Sequence, residues 1–225
     1  VALARALASE PDILLLDEPF GALDLPIRTE LRDMLLGLKQ SVDITIVIVT
    51  HDLTDAFLLG QKIVMIEDGR ILQTGSREDV FYRPATVRAA ELVATRNILQ
   101  GKVIGQEGSL AVVLWNHQTL KVAVDKHLAT NTPVHLCIRP TQIMIRRPET
   151  EDGAGQHNVF QGAIVDEVIS METYRLFVSL GPADLRYDLE IDLPGYVYFR
   201  LGLDTRKEIE FSIRPEAVHL IPSGN

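Results

Sequence analysis

The sequence has a single cysteine, Cys137, and no long apolar run. One cysteine cannot form an internal disulfide, complete a zinc ribbon or supply a CxxC redox pair, and it fits a reducing compartment. No stretch approaches the roughly 18 apolar residues of a membrane-spanning helix, and we identify no signal-peptide pattern. These absences argue against a disulfide-stapled secreted domain and against an integral membrane protein.

The sequence also lacks an excess of basic residues. In its 225 residues, 22 Lys and Arg face 31 Asp and Glu, which gives a net charge of −9. Because nucleic-acid binding needs a basic surface that neutralises phosphates, we expect no nucleic-acid partner. The remaining composition, with 46% hydrophobic residues, is that of a globular protein.

Short apolar runs alternate with helical patterns up to about Ala94. The runs ILLL and TIVIVT predict strands buried on both faces, as in a parallel sheet. Residues 26–40 predict a helix between them, and Asp52 predicts the N-cap of a following helix. Asp68-Gly69 predicts a hairpin turn. This order indicates an α/β domain, residues 1–94, with a mostly parallel sheet.

From Asn97 onward the runs become short and β-branched, which predicts an all-β domain over residues 97–225. Asn97-Ile-Leu-Gln-Gly-Lys-Val is echoed at Asn158, and Ile138-Arg-Pro is echoed at Ile213. These echoes predict two repeats, 97–147 and 158–221, that build one barrel-like tail. The polar stretch 148–156 is the predicted linker between them.

The first apolar run ends in two acids, Asp17 and Glu18. Ligands of open α/β sheets bind at the carboxyl ends of the strands. One carboxylate could hold Mg²⁺ through water, and the next could orient an attacking water. A strand that simply ends in two solvated acids explains the pair equally well on this evidence alone.

The neighbouring residues favour the first alternative. LLLDEPFGALD and VTHD resemble the Walker B, D-loop and switch-histidine segments of ABC-transporter ATPases, and the opening VALARAL is similar to the helix after their signature motif. The second half resembles the TOBE extension of import-type members. The resemblance implies a partial P-loop NTPase domain followed by an OB-like TOBE barrel.

The same resemblance implies roles for four residues. Asp17 would position Mg²⁺, Glu18 would polarise the attacking water, and His51 would contact the γ-phosphate of ATP. Asp24 would couple two ATP sites across a dimer, or serve only as a helix N-cap. The family works as a pair of copies on permease subunits, served by an extracytoplasmic substrate-binding protein, at the cytoplasmic face of the inner membrane.

The sequence departs from that family in three motifs. It contains no G-x-x-x-x-G-K-S/T loop, no Q-loop and no LSGGQ signature. We therefore expect a C-terminal fragment whose parent is the ATPase and which is inactive alone. A chromosome-maintenance ATPase is disfavoured because heptads and paired cysteines are lacking. A stand-alone β-module that senses a small ligand, with a remnant ATPase domain, remains an alternative.

The cargo is suggested only by residues 95–103, which resemble the opening of molybdate- or tungstate-binding β-modules. That resemblance implies Arg96, Asn97 and Lys102 as donors to an oxyanion such as molybdate, tungstate or sulfate. Alternatively, the stretch is only the first strand of a tail that sugar, polyamine and iron importers share.

Overall fold

The computed structural model describes residues 2–41, 43–147, 158–181 and 187–223, so the predicted linker 148–156 lies outside the described residues. The chain divides into two compact units, Val1–Phe81 and Tyr82–Asn225. Helix α5, Val87–Leu92, therefore falls in the second unit, although we predicted that the first domain extends to residue 94. The reason is packing, since Ala90 is buried against Cys137 and Ile221 of the second unit.

The first unit follows the predicted order of strands and helices. Its elements are α1 (Ala2–Leu7), β1 (Ile13–Asp17), α2 (Leu25–Ser41), β2 (Thr45–Val49), α3 (Leu53–Leu59), β3 (Lys62–Glu67), β4 (Arg70–Ser76) and α4 (Arg77–Tyr82). Strands β1 and β2 pair in parallel, as predicted, with Asp17 opposite Val49. Strands β3 and β4 form a separate antiparallel hairpin. Asp68 and Gly69 both adopt the left-handed backbone of its turn.

The β1–β2 sheet is apolar on both faces but buried on only one. Leu14 is buried, whereas Ile13 and Leu15 are 59% and 72% exposed. Val47 and Val49 of β2 are exposed as well. The prediction that these strands are buried on both faces is therefore wrong for the described residues, because no described element covers this face.

Apart from two short helices, α5 and α6 (Gly195–Arg200), the described part of the second unit is built from β-strands. Its strands are β5 (Asn97–Glu107), β6 (Leu110–Trp115), β7 (Gln118–Ala123), β8 (Pro133–Ile138), β9 (Ile143–Ile145), β10 (Val159–Ser170), β11 (Thr173–Ser179), β12 (Leu189–Pro194), β13 (Glu208–Ile213) and β14 (Val218–Pro222). They form two five-stranded antiparallel sheets, in the orders β14-β8-β5-β6-β7 and β12-β11-β10-β13-β9.

The two sheets repeat one strand order and exchange their last strands. The chain leaves β8 through the 3-10 turn Pro140–Gln142, and β9 then pairs with β13 of the other sheet. It leaves β13 through the equivalent turn Pro215–Ala217, and β14 pairs with β8. Each half thus supplies an edge strand to the sheet of the other half.

The echoed glycines leave room for side chains of the neighbouring strand in the same sheet. A Cβ added at Gly101 would lie 2.8 Å from Val113 Cγ1, and one at Gly162 would lie 2.7 Å from Val178 Cγ1. Between the sheets lies one large core in which Trp115, Phe160 and Phe211 are in ring contact. Among the described residues, no helix combines the length and apolarity needed to cross a bilayer.

Candidate functional site

The ends of β1 and β2 bring Glu18 and His51 together. Because the two strands are parallel and in register, the residues that follow them emerge at one edge of the sheet. The backbone N–H of Glu18 donates to the carbonyl oxygen of Val49 at 2.9 Å, which extends the pairing by one residue. The two side chains that sequence reasoning placed at this edge therefore start from adjacent positions.

Glu18 binds His51 through two hydrogen bonds to one carboxylate oxygen. Glu18 Oε1 accepts from the backbone N–H of His51 at 3.0 Å and lies 2.8 Å from the ring nitrogen Nδ1. The Nδ1 contact is a donation when the ring proton is on Nδ1. The His51 side chain is 85% exposed and that of Glu18 is 40% exposed, so the pair faces solvent. Nothing in the described part of the chain bonds Nε2 of His51 or Oε2 of Glu18.

The backbone at Glu18 is held in a sparsely populated conformation. Its φ is 43°, in the left-handed region that non-glycine residues avoid. A turn locks this conformation, because the N–H of Gly21 donates to the Glu18 carbonyl oxygen at 3.2 Å. Such strain persists only where the surrounding structure imposes it, and it recurs at functional sites.

Asp17 and Asp24 lie near this pair but make different contacts. Asp17 ends β1 as an exposed carboxylate at the sheet edge. Asp24 accepts a hydrogen bond from the N–H of Ile27 at 3.2 Å, which is the N-cap geometry of α2. The helix-cap explanation of Asp24 is thus realised in the fold, and its coupling role stays a prediction.

The donor set at the edge fits a weakly held Mg²⁺. A single hard oxygen ligand with open solvent around it matches an ion that keeps most of its water shell. The described residues contain no cluster of three or more His, Cys, Asp or Glu that could enclose a metal. Asp17 would be the residue to hold Mg²⁺ through water, and this role stays a prediction.

Sequence reasoning missed an ion cluster beside His51. Arg28 of α2 lies 2.7 Å from Asp52 and 2.6 Å from Asp55, and Arg32 contacts Asp55 as well. Desolvation works against ionisation of Asp52, but the Asp55 N–H and Arg28 outweigh it and lower the pKa of that carboxyl. The available signal was two arginines four residues apart on α2 and two aspartates three apart at the start of α3.

Of the predicted anion donors of the second unit, Arg96 and Asn97 both contact Glu190, whereas Lys102 lines a different groove. The Asn97 side chain is buried, donates to the Glu190 carbonyl oxygen at 2.9 Å and accepts from the Glu190 N–H at 2.7 Å. Its carboxamide oxygen and one of its N–H groups are therefore engaged, and an anion-donor role for Asn97 stays a prediction. Arg96 faces the Glu190 carboxylate at 3.7 Å. Lys102 lines a separate open groove of about 600 Å³ with His117 and His135.

Comparison with known proteins relates the chain to importer ATP-binding proteins. It is 34% identical to the spermidine/putrescine import ATP-binding protein PotA of Oleidesulfovibrio alaskensis, over 77% of this chain and 48% of the relative. The Fe(3+) ions import ATP-binding protein FbpC of Fusobacterium nucleatum is 36% identical over 68% of this chain and 40% of the relative. PotA of Bacteroides thetaiotaomicron is 30% identical over 98% of this chain and 43% of the relative.

Solved structures add little to this relationship. The cytoplasmic molybdate-binding protein ModG matches with a TM-score of 0.49 and 16% identity, over 57% of this chain and 98% of that one. No protein-family model matches the chain. The chain spans about half the length of the curated relatives it matches. By sequence, it belongs with the ATP-binding subunits of ABC-type importers.

Proposed function

We propose that residues 1–81 carry the hydrolytic end of an importer ATPase, with Glu18 and His51 as its working pair. The observation that carries the proposal is the double hydrogen bond of His51 to one oxygen of Glu18 at the edge of a parallel sheet. The pair presents one carboxylate oxygen and one ring nitrogen to solvent, where a phosphate and a water could meet them.

The chemistry assigned to Glu18 is general-base catalysis. Oε1 is held by His51, which leaves Oε2 to accept a hydrogen bond from the attacking water. The water proton passes to Oε2 as the water oxygen bonds to the γ-phosphorus, and the bridging oxygen leaves with ADP. Because phosphoryl transfer depends mainly on positioning and charge stabilisation, a fixed carboxylate is what the step requires.

The role assigned to His51 is to join the base to the phosphate. Its Nδ1 lies 2.8 Å from Glu18 Oε1, which leaves Nε2 to contact a γ-phosphate oxygen. Mg²⁺ on Asp17 would supply charge neutralisation at the phosphates. Asp24 would connect this site to that of a second copy of the subunit.

Binding of the nucleotide itself needs a phosphate-cradling loop, and the sequence has none. We therefore propose that residues 1–225 alone do not turn over ATP, and that the complete protein does so as a pair of copies on permease subunits. The setting that this proposal implies is the cytoplasmic face of the membrane, with an extracytoplasmic substrate-binding protein delivering the cargo.

For the second unit we propose a TOBE-like accessory role. The strand order repeated in its two sheets and the echoed Asn97 and Asn158 support this assignment. The names of the relatives favour a polyamine or ferric ion as cargo over an oxyanion. The hydrogen bonds of Asn97 to the Glu190 backbone point the same way, because they occupy one of its two side-chain N–H donors.

The test is Glu18→Gln in the complete protein, measured by ATP turnover and by equilibrium ATP binding. We expect turnover to fall about 10²–10⁴-fold, the usual worth of general-base help, while ATP binding is retained. Glu30→Gln, at an exposed position of α2, is the matched control. Near-normal turnover in Glu18→Gln would remove Glu18 from this role.

A further inference from the structure

We propose that the ion cluster of Arg28, Arg32, Asp52 and Asp55 is a positioning device that sets His51 against Glu18. The proposal rests on the function proposed above and adds four residues to it, none of which touches the reacting atoms. Its basis is that two arginines of helix α2 contact residues near both members of the pair. Arg28 contacts Asp52, which follows His51, and Arg32 contacts Phe20, which lies two residues after Glu18.

Arg28 makes the ion pairs on the side of His51. Its Nη2 contacts Asp52 at 2.7 Å and Asp55 at 2.6 Å, so one guanidinium nitrogen joins α2 to the first turn of α3. Asp55 is 1% exposed and is also bound by Arg32. A carboxylate so deeply buried needs these partners, because an unpaired charge would be strongly unfavourable there.

Asp52 connects these ion pairs to the neighbouring residue, His51. Its carboxylate accepts from the N–H of Asp55 at 3.0 Å, and its own N–H donates to Thr50 Oγ1 at 3.1 Å. The residues on both sides of His51 are thereby fixed. The backbone N–H and the ring of His51 can then reach the same oxygen of Glu18.

Arg32 makes the contact on the side of Glu18. Its guanidinium carbon lies 5.9 Å from the centre of the Phe20 ring, and Phe20 is buried two residues after Glu18. The same side chain binds Asp55. Arg32 therefore ties the loop that follows β1 to the helix that follows His51.

At the contact of α2 with α3, an ion cluster is expected to contribute less to stability than apolar residues would. Within the described residues Arg28 Nε is buried without a hydrogen-bond partner, and well-packed apolar residues often stabilise such a position better than ions do. Ion pairs add geometric specificity instead, because a guanidinium can bind two carboxylates in only a few relative orientations. The cluster is thus suited to hold a geometry.

The experiment compares Arg28→Lys with Arg70→Lys, a control at an exposed position of β4. Lysine keeps the charge but cannot reproduce the planar fork of arginine. Asp55→Asn is avoided as the main variant, because two unbalanced arginines could unfold the unit. Arg32→Lys serves as the second variant, and circular dichroism verifies that each chain is folded.

The first readout is the tautomer of the His51 ring, obtained by nitrogen NMR on the 225-residue chain without nucleotide. We expect the Nδ1–H form in the unmodified chain, because Nδ1 lies 2.8 Å from the Glu18 carboxylate oxygen. In Arg28→Lys the ratio of Nδ1–H to Nε2–H should fall by a factor of about 5, the equivalent of one ordinary hydrogen bond. An unchanged ratio in folded Arg28→Lys and Arg32→Lys overturns the proposal.

The second readout is ATP turnover by the complete protein. We expect Arg28→Lys to lower kcat about tenfold or more with KM for ATP unchanged, because the loss lies in the reacting geometry. A raised KM with unchanged kcat would overturn the positioning role. If Glu18→Gln leaves turnover intact while the tautomer still responds to Arg28→Lys, the proposed function fails and the positioning of His51 stands.

Discussion

The two units of the chain differ in how completely their strands are buried. In the second unit, two five-stranded sheets enclose one core in which Leu176, Val178 and Phe211 have no exposed surface. In the first unit, a two-stranded sheet leaves apolar side chains of both strands in solvent. Yet the first unit carries the strained Glu18, the exposed His51 and the ion cluster. The chemical groups therefore lie in the unit that has the smaller core of its own.

The largest change in the free energy of unfolding should come from a substitution in the core of the second unit. Leu176→Ala removes a fully buried side chain, and we expect a loss of about 2–5 kcal/mol in the free energy of unfolding. The measurement is urea denaturation of the 225-residue chain, followed by near-ultraviolet signals from Trp115. A loss below about 1 kcal/mol would mean that this core is loosely packed.

A smaller effect should come from the two asparagine clamps between the repeats. Asn97 bonds the backbone of Glu190, and Asn158 bonds the backbone of Lys121 in the opposite half, accepting at 2.6 Å and donating at 2.7 Å. Either Asn→Ala change should cost about 1–3 kcal/mol, because it leaves buried backbone groups without partners.

The matched control for the clamps is Asn116→Ala, which removes an exposed hydrogen bond to Asp188. Equal losses for Asn97→Ala and Asn158→Ala, both larger than that of the control, would show that the two repeats hold each other symmetrically. If either substitution lowers the free energy of unfolding by no more than Asn116→Ala does, that asparagine does not hold the two repeats together.

A pH effect should appear in the second unit through His219. Burial lowers the pKa of this histidine, although its contact with the Pro84 carbonyl oxygen at 2.9 Å opposes the shift. The unfolded chain then binds the proton more readily than the folded chain. Stability should be full above the ordinary pKa of about 6.5 and should fall toward more acidic pH, by at most about 1.4 kcal/mol per pH unit.

His219→Gln keeps a donor for Pro84 and cannot titrate, so it isolates this effect. The comparison is the urea midpoint of both chains at about pH 7.5 and pH 5.5, on either side of the imidazole pKa. We expect the difference between the two chains to change over this interval. A constant difference would contradict the assignment.

The smallest effect on stability should come from the exposed face of the first unit. Leu15→Ser alters a side chain that is already in solvent, so the free energy of unfolding should change by less than about 0.5 kcal/mol. Self-association of the chain should decrease, because exposed apolar surface promotes it. Sedimentation velocity at several concentrations measures this, and unchanged association would show that this face does not take part.

Features with local signals were predictable from the sequence. The N-cap Asp52 accepts from Asp55 as expected, and Asp68-Gly69 forms the hairpin turn. The parallel pairing of β1 with β2 followed from their apolar runs. Cys137 is buried as a core residue, and burial raises the pKa of its thiol to about 12.

Features that depend on distant residues were not predictable. Periodicity cannot tell which face of an apolar strand another element covers, so it could not show that Leu15 is one of the exposed residues. The exchange of β9 and β14 depends on how the two repeats meet, which no local pattern encodes. The contact of Arg28 with Asp55 joins two helices that are separated by a strand, and the engagement of Asn97 spans 93 residues.

The central claim is that Glu18 and His51 work as one unit, and a double-mutant comparison of ATP turnover tests it most directly. The complete protein is measured with Glu18→Gln, with His51→Ala and with both changes. If the pair is a unit, the double variant should lose about the same 10²–10⁴-fold as Glu18→Gln alone, because residues that act together are non-additive. If the two losses multiply, the residues act independently and the account is contradicted.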